Sequence, residues 1–368
     1  MSTSAPANGT KHANTPKVAI IGGTGYGGAE LIRLLHRHDG IELARVTSID
    51  RVGEPLEAVH RNLGRTGLRF EEMPPERALE GMDVVFLALP HTVTAGLAPA
   101  LEATTSKIID LSGDFRLRDA AAYRTFYGVT HPHPEALGRF VYGLPELNRE
   151  AIVAARCVAS PGCFATTIAL GLLPLATRGW LSGPVRTVAA TGSSGSGAYA
   201  SEGTHHPVRA NNLKTYKVLD HQHTPEIEQT LADALRAGGH APAFELLFVP
   251  VSAPLTRGIL ANSFVEVPAS VDDAAIAAAF ATTFAEAPFV RVLGGKSQAE
   301  VVAIKGSMWA DVSWTTGPVD DARGVRHVVV TSALDNLVKG GAGQAVQSMN
   351  LMLGFDETRG IDAVPLWP

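Results

Sequence analysis

Residues 17 to 38 read KVAIIGGTGYGGAELIRLLHRH. Lys17 to Ile21 is an apolar run rich in β-branched residues, and it stops at the glycine cluster Gly22-Gly23-Thr24-Gly25-Tyr26-Gly27-Gly28. From Ala29 to His38 the apolar residues recur at helical spacing, with Leu31, Leu34 and Leu35 on one face. The expected order is strand, tight turn, helix. Gly22, Gly25 and Gly28 lack the Cβ atoms that would keep a pyrophosphate away from backbone N–H groups at the helix start. The turn, with Tyr26 inside it, is therefore a candidate dinucleotide site. Glycine turns also arise for packing reasons, so the motif needs its context.

That context follows. Further strands are expected at Leu43 to Thr47, Val84 to Leu89 and Lys107 to Leu111, alternating with helical segments. The expected fold is α/β, with an N-terminal doubly wound, Rossmann-type parallel sheet. After about Ser160 the pattern changes to longer strands with few helices between them, at Val185 to Ala190, Phe244 to Val251 and Ala261 to Val267. These imply an α+β catalytic domain built on a mixed sheet. Helical spacing returns at Ala274 to Phe284 and at Asp335 to Leu353. The expected division is a disordered tail over 1–16, an NADP-binding domain over 17–160 completed by a C-terminal helix within 334–368, and a catalytic and oligomerisation domain over 161–333.

Composition narrows the function. A formal net charge of -5 without a dense Lys/Arg run argues against nucleic acid. No stretch of roughly 20 apolar residues spans a bilayer, and the polar N-terminus has no apolar core of a secretion signal. Two cysteines make neither a disulfide framework nor a zinc ribbon, so a reducing cytoplasm is expected.

Cys163 stands in SPGCFATT (160 to 167), directly before an apolar helical run from Ile168 to Leu175. At the first turn of a helix a thiol meets free N–H groups and the positive end of the dipole, which favour the thiolate. Cys163 is thus the expected nucleophile, and Cys157, without such neighbours, is expected to be inert. A nucleophilic thiol needs a proton acceptor and a later proton donor, and His221 and His223 in HQHTPE (221 to 226) are candidates for both. A metal site on the same histidines is the competing reading, but further ligands at fitting spacing are missing, and no metal is expected.

The end of the second strand, Thr47-Ser48-Ile49-Asp50-Arg51, selects the coenzyme. Ser48 and Arg51 suit a ribose 2′-phosphate, whereas Asp50 pointing inward would repel it; NADP is the expected choice. The loop Thr191 to Gly197, carrying Ser194 and Gly195, offers backbone donors for a coenzyme or substrate phosphate. Arg116 and Arg257 sit at element boundaries where a guanidinium can clamp a substrate carboxylate.

With these segments in place, the chain resembles the N-acetyl-gamma-glutamyl-phosphate reductases of arginine biosynthesis from about Lys17 to the C-terminus. The resemblance rests on an ordered set: GGTGYGGAEL (22 to 31), FLALPH (86 to 91), DLSGDFRL (110 to 117), YGLPE (142 to 146), SPGCFAT (160 to 166), HQHTPEI (221 to 227), TRGIL (256 to 260) and ALDNLVKGGAGQAVQSMN (333 to 350). It departs at Ser160, Phe164-Ala165 and Gln222. The resemblance implies an NADPH-dependent reduction of an acyl phosphate to an aldehyde through a thioester on Cys163, with His221 for preference as the acid/base. It further implies Asn336, Lys339 and Gly340 near the nicotinamide, and a homo-oligomer. GRFVYGLPEL (138 to 147) and THHPVRA (204 to 210) also resemble the lysine-pathway reductases whose aminoadipate phosphate is held on an amino-group carrier protein, which makes that carrier the alternative partner.

Overall fold

The computed structural model describes residues 15–295 and 297–367. The expected tail falls almost wholly outside them, but Pro16 is already tied to the sheet, its carbonyl accepting the Glu42 amide at 2.9 Å.

The first sheet contains β1 (Lys17–Ile21), β2 (Glu42–Thr47), β3 (Val84–Leu87), β4 (Lys107–Asp110), β5 (Val141–Tyr142) and β6 (Cys157–Ala159). All pairs are parallel, in the order β2-β1-β3-β4-β6-β5. Val18 to Ile21 are buried without alternation, as expected of a central parallel strand covered on both faces. Strand order reverses between β1 and β3, and the glycine turn leaves β1 at that switch point, where open α/β sheets bind ligands. Gly22 has φ +92°, and a Cβ on it would lie 2.6 Å from the Ala88 carbonyl oxygen just past β3. Gly28 seats the following helix, Tyr26–Leu35, directly on the turn, since a Cβ there would lie 2.6 Å from the Gly22 oxygen.

The second sheet is mixed. It comprises β7 (Ser182–Thr191), β8 (Lys214–Thr215), β9 (Ala243–Ser252), β10 (Ile259–Pro268), β11 (Val290–Gly294), β12 (Ala310–Asp320) and β13 (Val325–Leu334), in the order β11-β12-β13-β10-β7-β9-β8. Alternation along β10 puts Ile259, Ala261, Ser263, Val265 and Val267 inward. That face carries the helices Cys163–Thr177, Thr224–Ala237 and Asp273–Thr283, whose Ile168, Leu172, Ile227, Leu231, Ile276 and Phe280 join one core.

The chain then returns to the first sheet. Helical spacing from Asp335 led us to expect one helix to Leu353; instead residues Val338–Ala342 form a π-helical stretch, and the regular helix is Gly343–Leu353. Gly341, at φ −164°, ψ −110°, breaks the helical geometry. Val346 and Met349 of this helix pack with Ile20, Leu31 and Ile109. Polar anchors accompany them: His38 Nε2 lies 3.0 Å from Asn350 Oδ1, and Lys339 Nζ donates to Glu146 Oε1 (2.6 Å) and Gln347 Oε1 (2.8 Å). The Lys339 and Glu146 side chains are 0% and 1% exposed, so neither charge has water as a substitute partner. Lys339→Ala should therefore cost about 3 to 5 kcal/mol in chemical denaturation, and Lys339→Met combined with Glu146→Leu should recover most of it. An unchanged midpoint in the single variant would contradict the assignment of this pair.

Candidate active site

Two helix starts meet at the thiol. Cys163 is the first residue of its helix, preceded by extended Gly162 at φ −68°, ψ 147°. His223 immediately precedes the helix Thr224–Ala237. Its ring fills the space beside Gly162, where a Cβ would come within 2.3 Å of His223 Nε2. The glycine before the cysteine is thus a steric demand of the histidine. On the other side a Cβ on Gly340 would lie 2.9 Å from Cys163 Cβ, so the Asn336 to Gly340 segment passes against the nucleophile.

Glu226, in the first turn of its helix and fully buried, ties these parts together. Its Oε1 accepts the Gly162 N–H at 2.7 Å and the Tyr142 hydroxyl at 2.8 Å, and its Oε2 lies 3.5 Å from Arg116 Nη1. Arg116, also buried, donates from Nε to the Ser160 carbonyl (2.7 Å) and from Nη2 to the Leu111 carbonyl (2.8 Å). Charge-assisted bonds of this kind fix the turn that carries the thiol.

The imidazoles are close neighbours. His221 and His223 have ring centroids 4.8 Å apart, and Phe164 meets them edge-on at 5.3 and 6.1 Å. The His223 amide donates to His221 Nδ1 at 3.2 Å, which fixes the neutral His221 ring with its proton on Nε2. His223 Nδ1 is buried and has no protein partner. Burial, helped by the Lys217 charge, brings His221 down to about 4. Burial, then His221 and Arg116, hold His223 well below the usual histidine range. Both rings are neutral at neutral pH.

The thiol departs from expectation. Burial pushes Cys163 up to about 11, outweighing the Arg116 charge and the Phe164 N–H, which act the other way. The helix start favours the thiolate, but the low-dielectric surroundings cost more than a local dipole returns.

The coenzyme candidates follow the ends of β1 and β2 of the first sheet and of β7 and β13 of the second. The helix Tyr26–Leu35 begins without a side-chain cap, and the Cβ position of Gly25 has nothing within 4 Å. Uncapped N–H groups beside open space suit a pyrophosphate. Ser48 Oγ accepts the Asp50 and Arg51 amides at 3.0 and 3.3 Å, and Arg51 pairs with Glu54 at 3.4 Å on the surface. Ser194, Gly195 and Asn336 come together: Asn336 Nδ2 donates to Ser194 Oγ at 3.0 Å, its Oδ1 accepts the Gly258 amide at 2.7 Å, and a Gly195 Cβ would lie 3.8 Å from Nδ2. Lys339 does not join them, because its ammonium points to Glu146 and Gln347. The Arg257 guanidinium is taken by Asp335 (3.1 Å) and Glu30 (3.4 Å). Among the described residues, no three His, Cys, Asp or Glu side chains gather as a metal site, and no helix is long and apolar enough to cross a membrane.

Glu226 and Tyr142 received no role from the sequence, although both stand in the segments HQHTPE and YGLPE. A readable signal existed for the first. Thr230 and Ala234 mark the inward face of its helix, and Glu226 lies four residues before Thr230. A carboxylate on a buried face asks for a partner.

Fold and site together define a dinucleotide-dependent oxidoreductase with a cysteine nucleophile. Residues 17–155 match the family model described as semialdehyde dehydrogenase, NAD binding domain, and residues 163–336 match semialdehyde dehydrogenase, dimerisation domain. The chain belongs to the semialdehyde dehydrogenase family. It is 42% identical to a putative [LysW]-L-2-aminoadipate 6-phosphate reductase of Thermomicrobium roseum, over 95% of this chain and 99% of the relative. It is 41% identical to an N-acetyl-gamma-glutamyl-phosphate reductase of Cellvibrio japonicus, over 96% and 99%. The fold is similar to that of aspartate semialdehyde dehydrogenase II of Vibrio cholerae, with a TM-score of 0.69 at 17% identity, covering 93% of this chain and 99% of that one.

A thiol held near 11 alkylates slowly at neutral pH. Iodoacetamide modification of Cys163 in coenzyme-free protein should accelerate steadily above pH 8, whereas a plateau reached below pH 8 would mean that the dipole and Arg116 outweigh burial.

Proposed function

We propose that this chain reduces N-acetyl-gamma-glutamyl phosphate to N-acetylglutamate 5-semialdehyde with release of phosphate, using NADPH and Cys163. The observation that supports this reading most is the convergence of a part-buried Cys163 with the buried His221, His223 and Arg116 around Glu226. In this reading residues 17–160, completed by 334–368, hold the coenzyme, and residues 161–333 carry the chemistry.

The Cys163 sulfur attacks the carbonyl carbon of the acyl phosphate, the carbon–oxygen bond to phosphate breaks, and a thioester remains. The thiol proton passes to an imidazole. His221 Nδ1 already accepts a backbone N–H, which leaves His223 with the unengaged lone pair. NADPH, when bound, supplies the hydride that takes the thioester carbonyl to the aldehyde level. As negative charge builds on that oxygen, His221 donates from Nε2, and backbone N–H groups at the start of the Cys163 helix add to the oxyanion's support. Expulsion of the Cys163 sulfur then frees the semialdehyde, and the proton held on His223 returns to the sulfur. Arg116 and Arg257 are both candidate guanidinium partners of the substrate: Arg116 is held by Glu226 and two backbone carbonyls, and Arg257 by Asp335 and Glu30.

For the coenzyme, Gly22, Gly25, Tyr26 and Gly28 would hold the pyrophosphate. Ser48, whose oxygen accepts two amides and whose proton is free to donate, would meet the 2′-phosphate with Arg51. Ser194, Gly195 and Asn336 would line the nicotinamide end, since the chain from Asn336 to Gly340 leads to Cys163.

Copies of the chain would pair through the outer face of the second sheet. Leu247, Val249, Val188, Asn262, Phe264 and Val329 share that face by register, and Val188 and Phe264 are exposed. The description of the matching family model supports this pairing. The two free cysteines are consistent with a reducing cytoplasm.

The names of the Thermomicrobium roseum and Deinococcus radiodurans relatives favour a second reading, the same chemistry on carrier-bound 2-aminoadipate 6-phosphate. Rates on free N-acetyl-gamma-glutamyl phosphate and on a carrier-bound acyl phosphate decide between them; faster turnover of the carrier-bound compound would overturn the first. Cys163→Ser should abolish turnover while NADPH still binds, Cys157→Ser should be nearly silent, and His221→Ala should lower kcat by about 10²- to 10⁴-fold. A normal rate in Cys163→Ser would end this account.

A further inference from the structure

We infer that Tyr199 sets the coenzyme preference by tethering Asp50 away from the ribose, a reading that rests on the coenzyme lying at Ser48 and Arg51. Asp50 is the one residue of that loop whose charge opposes a 2′-phosphate. Its carboxylate instead accepts a hydrogen bond from the Tyr199 hydroxyl, 149 positions along the chain and on the loop that follows β7. The carboxylate pushes the Tyr199 phenol above its ordinary value, as a donor held to an anion requires.

Both ends of this tether are positioned by their own segments. On the coenzyme side, the Ser48 hydroxyl accepts the Asp50 and Arg51 amides and so fixes the backbone from which the Asp50 side chain departs. On the other side, the base of the Tyr199 loop is pinned by three backbone bonds: Gly192 N to Gly258 O (2.9 Å), Ser193 N to Leu255 O (2.8 Å) and Ser194 N to Thr256 O (3.0 Å). Asn336 adds its bond to Ser194 Oγ. Gly197, at φ +85°, ψ 178°, then turns the chain in a conformation essentially reserved for glycine, two residues before Tyr199. The loop therefore leaves the catalytic sheet, turns at Gly197, and delivers a phenol to the first sheet's coenzyme loop.

The consequence is chemical. An acidic residue after the second strand grips the ribose hydroxyls of NAD when its oxygens are free. With Oδ2 already taken by Tyr199, Asp50 lacks the pair of acceptors for that grip, while Ser48 and Arg51 remain for the 2′-phosphate. Tyr199→Phe keeps the ring and removes the tether, so Asp50 regains both oxygens and can swing toward the ribose.

The test is direct binding of NADPH and of NADH to the full-length protein, followed by nucleotide fluorescence, in wild type, Tyr199→Phe, Asp50→Ala and the double variant. The wild type should bind NADPH more tightly. Tyr199→Phe should reduce that selectivity by about 10-fold, the scale of one hydrogen bond to a charged group, by weakening NADPH and strengthening NADH. Adding Asp50→Ala to Tyr199→Phe should restore selectivity to at least the wild-type level, because the freed carboxylate is then gone. Unchanged selectivity in Tyr199→Phe, an equal loss for both nucleotides, or a loss that persists in the double variant would overturn the tether while leaving NADPH as the coenzyme. A wild type that binds NADH more tightly would overturn the coenzyme assignment itself and the tether with it.

Discussion

The Glu226 carboxylate is the interaction on which the site depends. A fully buried anion is costly unless donors surround it, and here the Gly162 amide, the Tyr142 hydroxyl and the Arg116 guanidinium do so. Each donor belongs to a different part of the chain. Tyr142 lies on β5, Arg116 follows β4 of the same sheet, Gly162 begins the Cys163 helix, and Glu226 itself comes from the helix led by the histidines. Satisfying one carboxylate thus brings Cys163, the two histidines and the Arg116 guanidinium to one place. The steric fit of His223 against Gly162 sharpens the same junction, because a larger residue before the cysteine would force the two helix starts apart.

The electrostatics follow from that closeness. Burial raises the thiol and lowers the imidazoles, so the resting pair is neutral on both sides. In the proposed mechanism, charge would be created only as the sulfur attacks, in surroundings where the Arg116 guanidinium is already in place. A thiolate exposed at rest would be open to oxidation and stray alkylation; a thiol that ionises during attack is protected from both. In the same proposal, the low dielectric would make the His221 Nε2–H a stronger donor to a developing oxyanion than it would be in water.

Much of the fold was legible because it is written in local periodicity. The buried run of β1, the glycine turn and the alternation along β7, β9 and β10 identify two sheets of different kind without reference to distant residues. Strand order was not legible, since β7 pairs in parallel with β9 across the helix Thr224–Ala237 and β12 doubles back on β13. The segment from Asp335 was read as helix because apolar spacing does not report a π-helical stretch or the backbone of Gly341. In the site, Cys163 and the histidines were proposed from short-range context, and the structure brings them together. The direction of the thiol's shift was misjudged because a helix dipole is local and burial is a property of the whole fold. The resemblance placed Lys339 near the nicotinamide, and what it did not reveal is the ammonium's partner Glu146, 193 positions away. Helix spacing could have marked Glu226 as inward-facing, but its donors lie 64 to 110 positions distant, where no spacing rule reaches.

Covalent chemistry on one sulfur is the centre of this account, and it is open to direct observation. Full-length protein would be mixed with N-acetyl-gamma-glutamyl phosphate in the absence of coenzyme, and both released phosphate and peptide masses would be measured. The account predicts a burst of phosphate approaching one equivalent per chain and an acyl group on the Cys163 peptide, discharged as aldehyde when NADPH is added. Phosphate release without an adduct, or an acyl group on Cys157, would contradict it.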